Sequence, residues 1–412
     1  MILVLLACGG DEEKPLTSPT PEGTPTYYQD VAPILASNCV SCHREGGSGP
    51  FVLDSYDDVE SLGLLVEDSV VHRRMPPFHA DNSGECQSFE HSPWLSDEAV
   101  DTISSWVQQG MPAGEPVDIE LPSFDEPLFE GTHSVTFETY QADFSELPDD
   151  YRCFVVDPQV TSPGYLTGFE VLPSNREIAH HMILYAPIDA AALSEAYARD
   201  DADPEAGYQC YGGPGIDSRM IAPWAPGSDQ WYYPEGTGVI MEEGQILILQ
   251  MHYSNAGDES LDATTVNLHI QETVEEELWT EFYVHSDIRI PPGEPSHVES
   301  LNQKIRRFSG YDGPISLRAV GPHLHKMGIA SSATLIREDG TSSCLIDVPH
   351  YDFNWQRVYT LREPLVLQPD DRMEIECVYD STGQDGMTYW GDGTNDEMCL
   401  MTVFATIPSG SQ

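Results

Sequence analysis

The stretch Ile246-Leu247-Ile248-Leu249-Gln250-Met251-His252-Tyr253 predicts one buried strand, since nearly all of its positions are apolar. Trp279 to Ile290, which ends at Pro291-Pro292-Gly293, predicts another strand, and so does Ser316 to Met327. From about residue 130 to 408, short alternating runs are broken by turns rich in Gly, Pro, Asn and Asp. This is the pattern of antiparallel β-sandwiches.

The composition limits the class of protein. At roughly 150 residues per domain, a chain of 412 residues predicts about two to four domains. Hydrophobic residues make up 40% of the chain, enough for packed cores, and 33 Gly with 32 Pro favour a turn-rich, mainly β architecture. The 18 Lys+Arg against 69 Asp+Glu give a net charge of −51. Such a surface repels phosphate, which argues against nucleic-acid partners and anionic lipid and favours a cationic partner.

The segment Cys39-Val40-Ser41-Cys42-His43 has the attachment motif of c-type haem. On a helical turn, Cys39 and Cys42 lie on one side, where they can add to the two vinyl groups, and His43 reaches the iron. The alternative is half of a zinc site, but no second Cys-x-x-Cys or His pair follows at the usual spacing.

The second haem ligand is expected some thirty residues further on, and Met75, before Pro76-Pro77, is the candidate. A thioether opposite imidazole raises the potential of the iron, which suits electron transfer. The nearby histidines that compete for this role are His72, His79 and His91. Ser96 then predicts the N-cap of an amphipathic helix that stops at Gly110. In this order the elements resemble a small all-α cytochrome c domain.

The N-terminus resembles the end of a bacterial lipoprotein signal. Leu5-Leu6-Ala7-Cys8 places a small residue before a cysteine, and a polar tether rich in Thr and Pro follows. The positively charged start of a complete signal is missing, and the alternative is an apolar N-terminus with a chance cysteine. We expect lipidation at Cys8 and an exported protein anchored by lipid in the bacterial cell envelope, in the periplasm or at the outer membrane.

Nine cysteines are present. Without Cys8 and the haem pair, six remain, an even number compatible with disulfides in an oxidising compartment. Spacing alone does not fix their pairing.

Five histidines and one methionine carry the chemistry of the β region. His180 and His181 are adjacent, His252 lies within an apolar strand, and His323-Leu324-His325 turns two imidazoles to one face of a strand. Five histidines in apolar strands favour metal binding over isolated core histidines. Adjacent residues face opposite ways on a regular strand, so convergence of His180 and His181 predicts a bend or bulge there.

Four segments that contain these residues resemble the copper motifs of the type II copper, ascorbate-dependent monooxygenases, a family that includes peptidylglycine α-hydroxylating and dopamine β-monooxygenases. They are Glu177-Ile178-Ala179-His180-His181-Met182-Ile183-Leu184, Leu249-Gln250-Met251-His252-Tyr253, Pro322-His323-Leu324-His325 and Asp396-Glu397-Met398-Cys399. Softer matches lie between them at Trp224-Ala225-Pro226-Gly227, Pro234-Glu235-Gly236-Thr237-Gly238 and Ile290-Pro291-Pro292-Gly293-Glu294. The resemblance spans most of the chain after the haem motif.

The resemblance implies two copper ions on two tandem all-β jelly-roll sandwiches that face a solvent cleft. The first site would be His180, His181 and His252, which stores electrons, and the second, catalytic site would be His323, His325 and Met398, which binds O2. Three imidazoles serve both copper oxidation states, whereas a thioether favours Cu(I). The resemblance also implies the disulfides Cys153–Cys210 and Cys377–Cys399. It gives Cys86 and Cys344 no partners, so free thiols or a bridge between modules remain open.

The expected domains are a signal remnant and tether at 1–23, a cytochrome c-like domain at 24–115, a linker at 116–129 and sandwiches at 130–274 and 275–409. The expected function is hydroxylation of a C–H bond with O2, with electrons relayed to the first copper site by haem c. The external donor would be a cationic redox protein or an ascorbate-like reductant. The alternative is a non-enzymatic haem and copper electron-transfer or copper-binding lipoprotein.

The substrate is expected to be a small, neutral or apolar molecule. Peptide-amidating members bind a carboxylate with an Arg two residues before the His-x-His motif, where this chain has Gly321. Their Asn and Tyr after the ligand Met correspond to Leu400 and Thr402. Gln250, on the strand face of His252, would either organise water or substrate between the coppers or support a ligand.

Overall fold

The computed structural model describes residues 23–45, 49–90, 92–117, 129–225, 230–255, 260–353 and 355–407. The chain forms two compact units. The first comprises Met1–Pro76 and Leu95–Phe124, and the second comprises Pro77–Trp94 and Asp125–Gln412. Within the described ranges, no helix is long and apolar enough to cross a membrane.

The first unit is helical in its described part. Its elements are a π-helical turn (Tyr27–Val31), α1 (Ala32–Asn38), α2 (Tyr56–Val71) and α3 (Asp97–Gln108). The Ser96 side chain accepts a hydrogen bond from Ala99 N, which confirms the predicted N-cap of α3. Trp106 is fully buried in the core of this unit, and its Nε1 donates to the carbonyl of Pro112.

The second unit contains two β-sandwiches. The strands of the first are β1 (His133–Thr136), β2 (Tyr140–Gln141), β3 (Asp149–Val156), β4 (Gly164–Leu172), β5 (Ala179–Pro187), β6 (Tyr208–Gln209), β7 (Ser218–Trp224), β8 (Gln230–Tyr232), β9 (Thr237–Met241), β10 (Leu247–Ser254), β11 (Leu261–Asp262) and β12 (Thr265–Gln271). Helix α4 (Ala190–Ala202) lies between β5 and β6 in the chain.

The second sandwich follows in the sequence. Its strands are β13 (Glu276–Val284), β14 (Arg289–Ile290), β15 (His297–Lys304), β16 (Ile315–His323), β17 (Gly328–Ile336), β18 (Ser342–Val348), β19 (Tyr359–Leu367), β20 (Arg372–Tyr379), β21 (Thr388–Tyr389) and β22 (Leu400–Thr406). The short helix α5 (Ile305–Ser309) follows β15.

One nine-stranded sheet runs through both sandwiches in the order β1-β12-β4-β9-β13-β22-β16-β19, with β8 beside β4. The junction is the parallel pairing of β9 with β13. A five-stranded sheet, β6-β3-β10-β5-β7, completes the first sandwich, and a four-stranded sheet, β15-β20-β17-β18, completes the second.

Strand β10 confirms the prediction of a buried strand, and both of its faces are covered. Leu247, Leu249 and Met251 point into the core of the first sandwich, whereas Ile248 belongs to a second buried cluster that includes Ala196 of α4. A strand covered on both faces has an almost continuous apolar run instead of an alternating one.

The other two predicted strands are shorter than expected. The run from Trp279 to Ile290 divides into β13, which pairs with β22, and β14, which pairs with β21. The run from Ser316 ends at His323, because the backbone N–H groups of His325 and Met327 donate to the Glu397 carboxylate instead of a neighbouring strand.

The predicted haem domain at 24–115 is interrupted by residues 77–94, here called the strap, which belong to the second unit. Phe78 and Phe89 of the strap are buried in the core of the second sandwich. Glu90 N donates to Thr360 O at 2.9 Å, and a disulfide joins Cys86 to Cys344. These contacts correct the boundary and answer the open question about the two cysteines.

Replacing Cys86 and Cys344 together by Ser is expected to destabilise the second unit by about 2–4 kcal/mol, because the bridge closes a long loop of the unfolded chain. Denaturant unfolding measures the change, and limited proteolysis should cut the strap faster. A Ser83→Ala variant in the strap is the control. Unfolding and proteolysis identical to the parent protein would contradict a stabilising strap.

Candidate metal centres

The first site lies where β5 and β10 pair. His252 pairs with His181, and the next pair along is Tyr253 with Ala179, so His180 is an extra residue in β5. This is a β-bulge, and it confirms the bend predicted from the two adjacent histidines. The bulge brings His180 to the same side of the strand as His181.

The three imidazoles converge through their Nδ1 atoms. The Nδ1 of His181 lies 3.3 Å from the Nδ1 of His180 and 3.3 Å from the Nδ1 of His252. Nitrogens bound at about 2.0 Å to one metal ion lie about 3.3 to 3.5 Å apart in tetrahedral or trigonal geometry. The candidate ligand atoms of these three residues all lie within 4.8 Å of one another, close enough to hold one metal ion.

Two residues of β3 hold His252. Its Nε2 lies 3.0 Å from Asp149 Oδ1, so the ring proton is at Nε2 and Nδ1 carries the lone pair. The ring of Tyr151 stacks on that of His252 with centroids 4.1 Å apart. Burial alone would raise the pKa of Asp149, but hydrogen bonds from His252 and Thr394 lower it to about 2.

The second site is built at the end of β16. His323 Nδ1 lies 2.6 Å from Gln356 Oε1, and His325 Nδ1 lies 3.1 Å from the carbonyl oxygen of Asp396. Both Nδ1 atoms therefore carry protons, which leaves Nε2 as the free ligand atom of each ring. The first site thus offers Nδ1 atoms and the second offers Nε2 atoms.

Met398 is the third residue predicted for the second site, and it is 9% exposed. Tyr379 Oη donates to its carbonyl oxygen at 2.8 Å, and Cys399 beside it is bonded to Cys377. The Glu397 carboxylate accepts from the backbone N–H of Met398, His325 and Met327, and therefore fixes the methionine segment against the His-x-His turn.

The two sites lie close together. The ring centroids of His181 and His323 are 6.2 Å apart. The ring of Phe353 stacks on that of His180, with centroids 4.7 Å apart, and its centroid lies 6.0 Å from that of His325. Within the second unit, the two histidine groups therefore lie side by side, and the pairing of β9 with β13 joins their sandwiches into one sheet.

The imidazoles are neutral at ordinary pH. Burial and the neighbouring histidines lower the pKa of His180 and of His323 to about 3, and burial lowers that of His325 to about 4. The pKa of His181 is well below its usual value for the same reasons, and burial lowers that of His252 against the opposing effect of Asp149. Neutral imidazole is the form that binds metal ions.

The side chains next to His323 on the sheet are apolar or small. His323 pairs with Leu400 and Gly321 with Thr402, and these in turn pair with Val284 and Phe282 of β13. A Cβ at Gly321 would lie 3.3 Å from the carbonyl oxygen of Arg357, so a long cationic side chain there would require that backbone to move. These paired side chains form one row on the sheet, and the row contains no Lys or Arg that could bind a carboxylate.

Gln250 is engaged away from the ligands. Its Nε2 donates to the carbonyl oxygen of Cys210 at 2.8 Å, in a buried position. The disulfides Cys153–Cys210 and Cys377–Cys399 are formed as the resemblance implied. The amide of Gln250 therefore packs against the first disulfide, which favours a supporting role over one with water or substrate.

In the first unit, Cys39 is half-buried and Cys42 is exposed, and both are free thiols. His43 Nδ1 lies 3.0 Å from the carbonyl oxygen of Phe51, so its Nε2 is free to bind a metal. Met75 is half-buried in this unit. Among its predicted competitors, His72 is exposed, His79 is buried in the second unit, and His91 lies outside the described residues, as does Cys8.

Sequence reasoning missed several residues that support the ligands. Asp149, Tyr151 and Cys153 alternate on the sheet face that also carries His252 of β10, but this alternation alone did not separate them from ordinary strand residues. Thr394, Gln356 and Phe353 lie in irregular segments, where no periodicity indicates a side-chain direction.

Comparison with known proteins identifies the class. The description "Copper type II ascorbate-dependent monooxygenase, N-terminal domain" matches residues 135–260, and the C-terminal domain of the same family matches residues 282–404. Together the matches cover more than half of the chain. The chain therefore belongs to the copper type II ascorbate-dependent monooxygenase family, for which two copper ions are implied.

The curated relatives agree. The chain is 28% identical over 280 residues to "DBH-like monooxygenase protein 2" of Mus musculus, covering 63% of this chain and 44% of the relative. It is 26% identical over 264 residues to "Peptidyl-glycine alpha-amidating monooxygenase A" of Xenopus laevis, covering 62% and 26%. The chain thus spans about half or less of the length of these relatives. The solved infectious bursal disease virus VP2 subviral particle aligns at 9% identity with a TM-score of 0.21, covering 68% of this chain and 71% of that one, and supports no argument.

Without metal, the protein is expected to lose stability as the pH falls from about 6.5 toward about 3. The folded pKa of His180 and His323 lies below the unfolded value, so the unfolded chain binds more protons in this window. Thermal unfolding of the metal-free protein at a series of pH values measures the slope. It should be shallower for His180→Gln than for the control His133→Gln on β1. Equal slopes for the two variants would contradict the lowered pKa of His180 in the folded protein.

Proposed function

We propose that the protein is an exported copper monooxygenase that hydroxylates a C–H bond of a small, neutral or apolar substrate with O2. The observation that carries the proposal is the group of three converging Nδ1 atoms next to His323 and His325, whose Nε2 atoms are free, with the backbone of Met398 held to that of His325 through Glu397. A storage protein has no need of two different sets.

The donor atoms fit copper. Imidazole suits copper in both oxidation states, and the soft thioether of Met398 favours Cu(I), the state that reacts with O2. In this proposal His180, His181 and His252 hold one ion, and His323, His325 and Met398 hold the other. When bound, the two ions supply the electrons and the O2-binding position that hydroxylation requires. The reaction consumes one O2, two electrons and two protons, and produces the alcohol and one water.

The protein groups have separate tasks. Asp149 and Gln356 fix the orientation of His252 and His323, so the lone pairs are aimed before a ligand arrives. The row of Leu400, Thr402 and Phe282 offers an apolar surface beside His323. The absence of a cation in that row disfavours a carboxylate substrate and favours the proposed apolar or neutral one.

We further propose that the first unit is a cytochrome c-like domain with one covalent haem. Six of the described cysteines form disulfides, and Cys39 and Cys42 alone among them are free thiols. The Phe51 carbonyl orients His43 with Nε2 free, as a proximal ligand requires. Met75 is the proposed distal ligand. The chain then divides into residues 24–76 with 95–115 for haem, and 130–274 with 275–409 for copper.

The haem would pass electrons from an external donor to the first copper site. The acidic surface favours a cationic redox protein as that donor, although an ascorbate-like reductant is compatible with the family. Three disulfides support an oxidising, extracytoplasmic compartment. Anchoring through lipid at Cys8 remains a prediction.

The Met398→Ile variant tests the reaction. The reduced parent protein, with one haem and two coppers, should consume O2 faster when a suitable small molecule is added from a panel of neutral and apolar compounds. Met398→Ile should lose this substrate-stimulated uptake by a factor of about a hundred or more, because the proposed sulfur ligand of the O2-binding copper is removed, and keep its haem spectrum.

The matched control is Met387→Ile, because Met387 is exposed and lies outside both ligand sets. Its O2 uptake should equal that of the parent. If the parent protein shows no uptake beyond the background that produces peroxide, the result would favour an electron-transfer protein that uses the same metals.

The haem relay is tested by rapid mixing with a reductant that reduces haem and not copper directly. The haem absorption should bleach first, and the Cu(II) EPR signal of the first site should then decay. In a Cys39→Ala, Cys42→Ala variant, which cannot attach haem covalently, copper reduction by this reductant should be lost. Haem reduction that is never followed by copper reduction would exclude the relay and leave the copper chemistry intact.

A further inference from the structure

We propose that Asp149 is a positioning residue that couples the two metal sites, through a loop of the second sandwich formed by residues 392–398, here called the methionine loop. The inference rests on the proposed binding of copper at both ligand sets. It concerns side chains of this chain that touch no substrate and are not ligands themselves.

On the side of the first site, Asp149 is bound to a ligand histidine. Its Oδ1 lies 3.0 Å from His252 Nε2, and the carboxylate is only 5% exposed. Tyr211 Oη donates to the backbone carbonyl of Asp149 at 2.7 Å, which fixes the strand at this residue. A carboxylate on the distal nitrogen of a metal-binding histidine sets the orientation of the ring and increases its strength as a ligand.

On the side of the second site, the same carboxylate holds the methionine loop. Thr394 N donates to Asp149 Oδ2 at 3.0 Å, and the Thr394 hydroxyl donates to Oδ1. Tyr151, which stacks on His252, donates its hydroxyl to the carbonyl oxygen of Asp392 at 2.6 Å. Two residues of β3 that support the first site therefore also anchor the start of the loop.

The end of the loop belongs to the second site. The carbonyl oxygen of Asp396 accepts from His325 Nδ1, and the Glu397 carboxylate accepts from the backbone of His325. Met398 completes the loop. A continuous series of hydrogen bonds and backbone therefore runs from His252 through Asp149 and Thr394 to His325 and Met398.

The burial of Asp149 makes these contacts specific. An ionised carboxylate away from water is costly unless its oxygens are hydrogen-bonded, and the three donors on Asp149 come from His252 and Thr394. Neither sandwich alone supplies all three. The position of the methionine loop and the orientation of His252 are therefore fixed together. A displacement of the loop should alter the orientation of His252, and the reverse.

Thr394→Val is the main test, because Thr394 lies in the second sandwich, is not a ligand and keeps its backbone N–H. We expect it to weaken Cu(I) binding at the first site by about tenfold, the lower end of the effect of losing a group that supports a ligand. Asp149→Asn, which removes one acceptor, should weaken it at least as much. Competition with a Cu(I) chelator measures the affinities, and a His181→Ala variant identifies the step due to the first site.

X-ray absorption at the copper edge gives a second readout. Both variants should show a weaker copper–sulfur signal than the parent protein, since the loop that carries Met398 has lost its anchor. The matched control is Thr406→Val, a buried threonine at the end of β22 away from the loop, whose hydroxyl donates to Glu276 at 2.6 Å. It should change neither copper affinity nor the sulfur signal.

Each outcome of these experiments either supports or overturns the proposed coupling. Weaker copper binding at the first site in Thr394→Val, with Thr406→Val unchanged, supports the coupling. Unchanged affinities and sulfur signal in both test variants, when the parent binds two coppers, would overturn the coupling and leave the proposed function standing. A parent protein that binds no copper at these histidines would overturn the proposed function and the coupling with it.

Discussion

In our proposal, the buried carboxylate of Asp149 is the contact on which the arrangement of the two candidate metal centres depends. It receives hydrogen bonds from His252 of the first sandwich and from Thr394 of the second, 245 residues further along the chain. The parallel pairing of β9 with β13 joins the two sandwiches into one sheet. Asp149 binds Thr394 of the methionine loop, which lies outside the strands of this sheet. Together these contacts accompany a separation of 6.2 Å between the ring centroids of His181 and His323, one candidate ligand from each site.

The local features of the site could be predicted from the sequence. Two adjacent histidines could bind one ion only if the strand is irregular, and the bulge at His180 confirms the predicted irregularity. The apolar run of β10 predicted a buried strand, which the structure confirms, whereas the predicted strand through His323 and His325 ends at His323 and leaves His325 beyond it. These predictions depend on neighbours in the chain, where backbone geometry alone fixes which side chains can meet.

The features that the sequence did not predict depend on contacts between distant segments. Thr394 and Asp149 carry no pattern that would join them, and a buried carboxylate is recognisable only once its donors are in place. The strap is similar: Phe78 and Phe89 resemble the core residues of a haem domain until their partners in the second sandwich are known. The end of β16 at His323 depended on the distant Glu397, which takes the N–H groups that a longer strand would have paired.

The central claim is that the two proposed ligand sets lie side by side, and EPR of the protein loaded with two Cu(II) ions tests it most directly. Two ions held by these residues should broaden each other's signals through their magnetic dipoles, and the broadening should vanish in a His181→Ala variant that keeps one ion. A spectrum equal to the sum of the two single-site spectra, with no broadening, would contradict the account, because it would place the ions far apart.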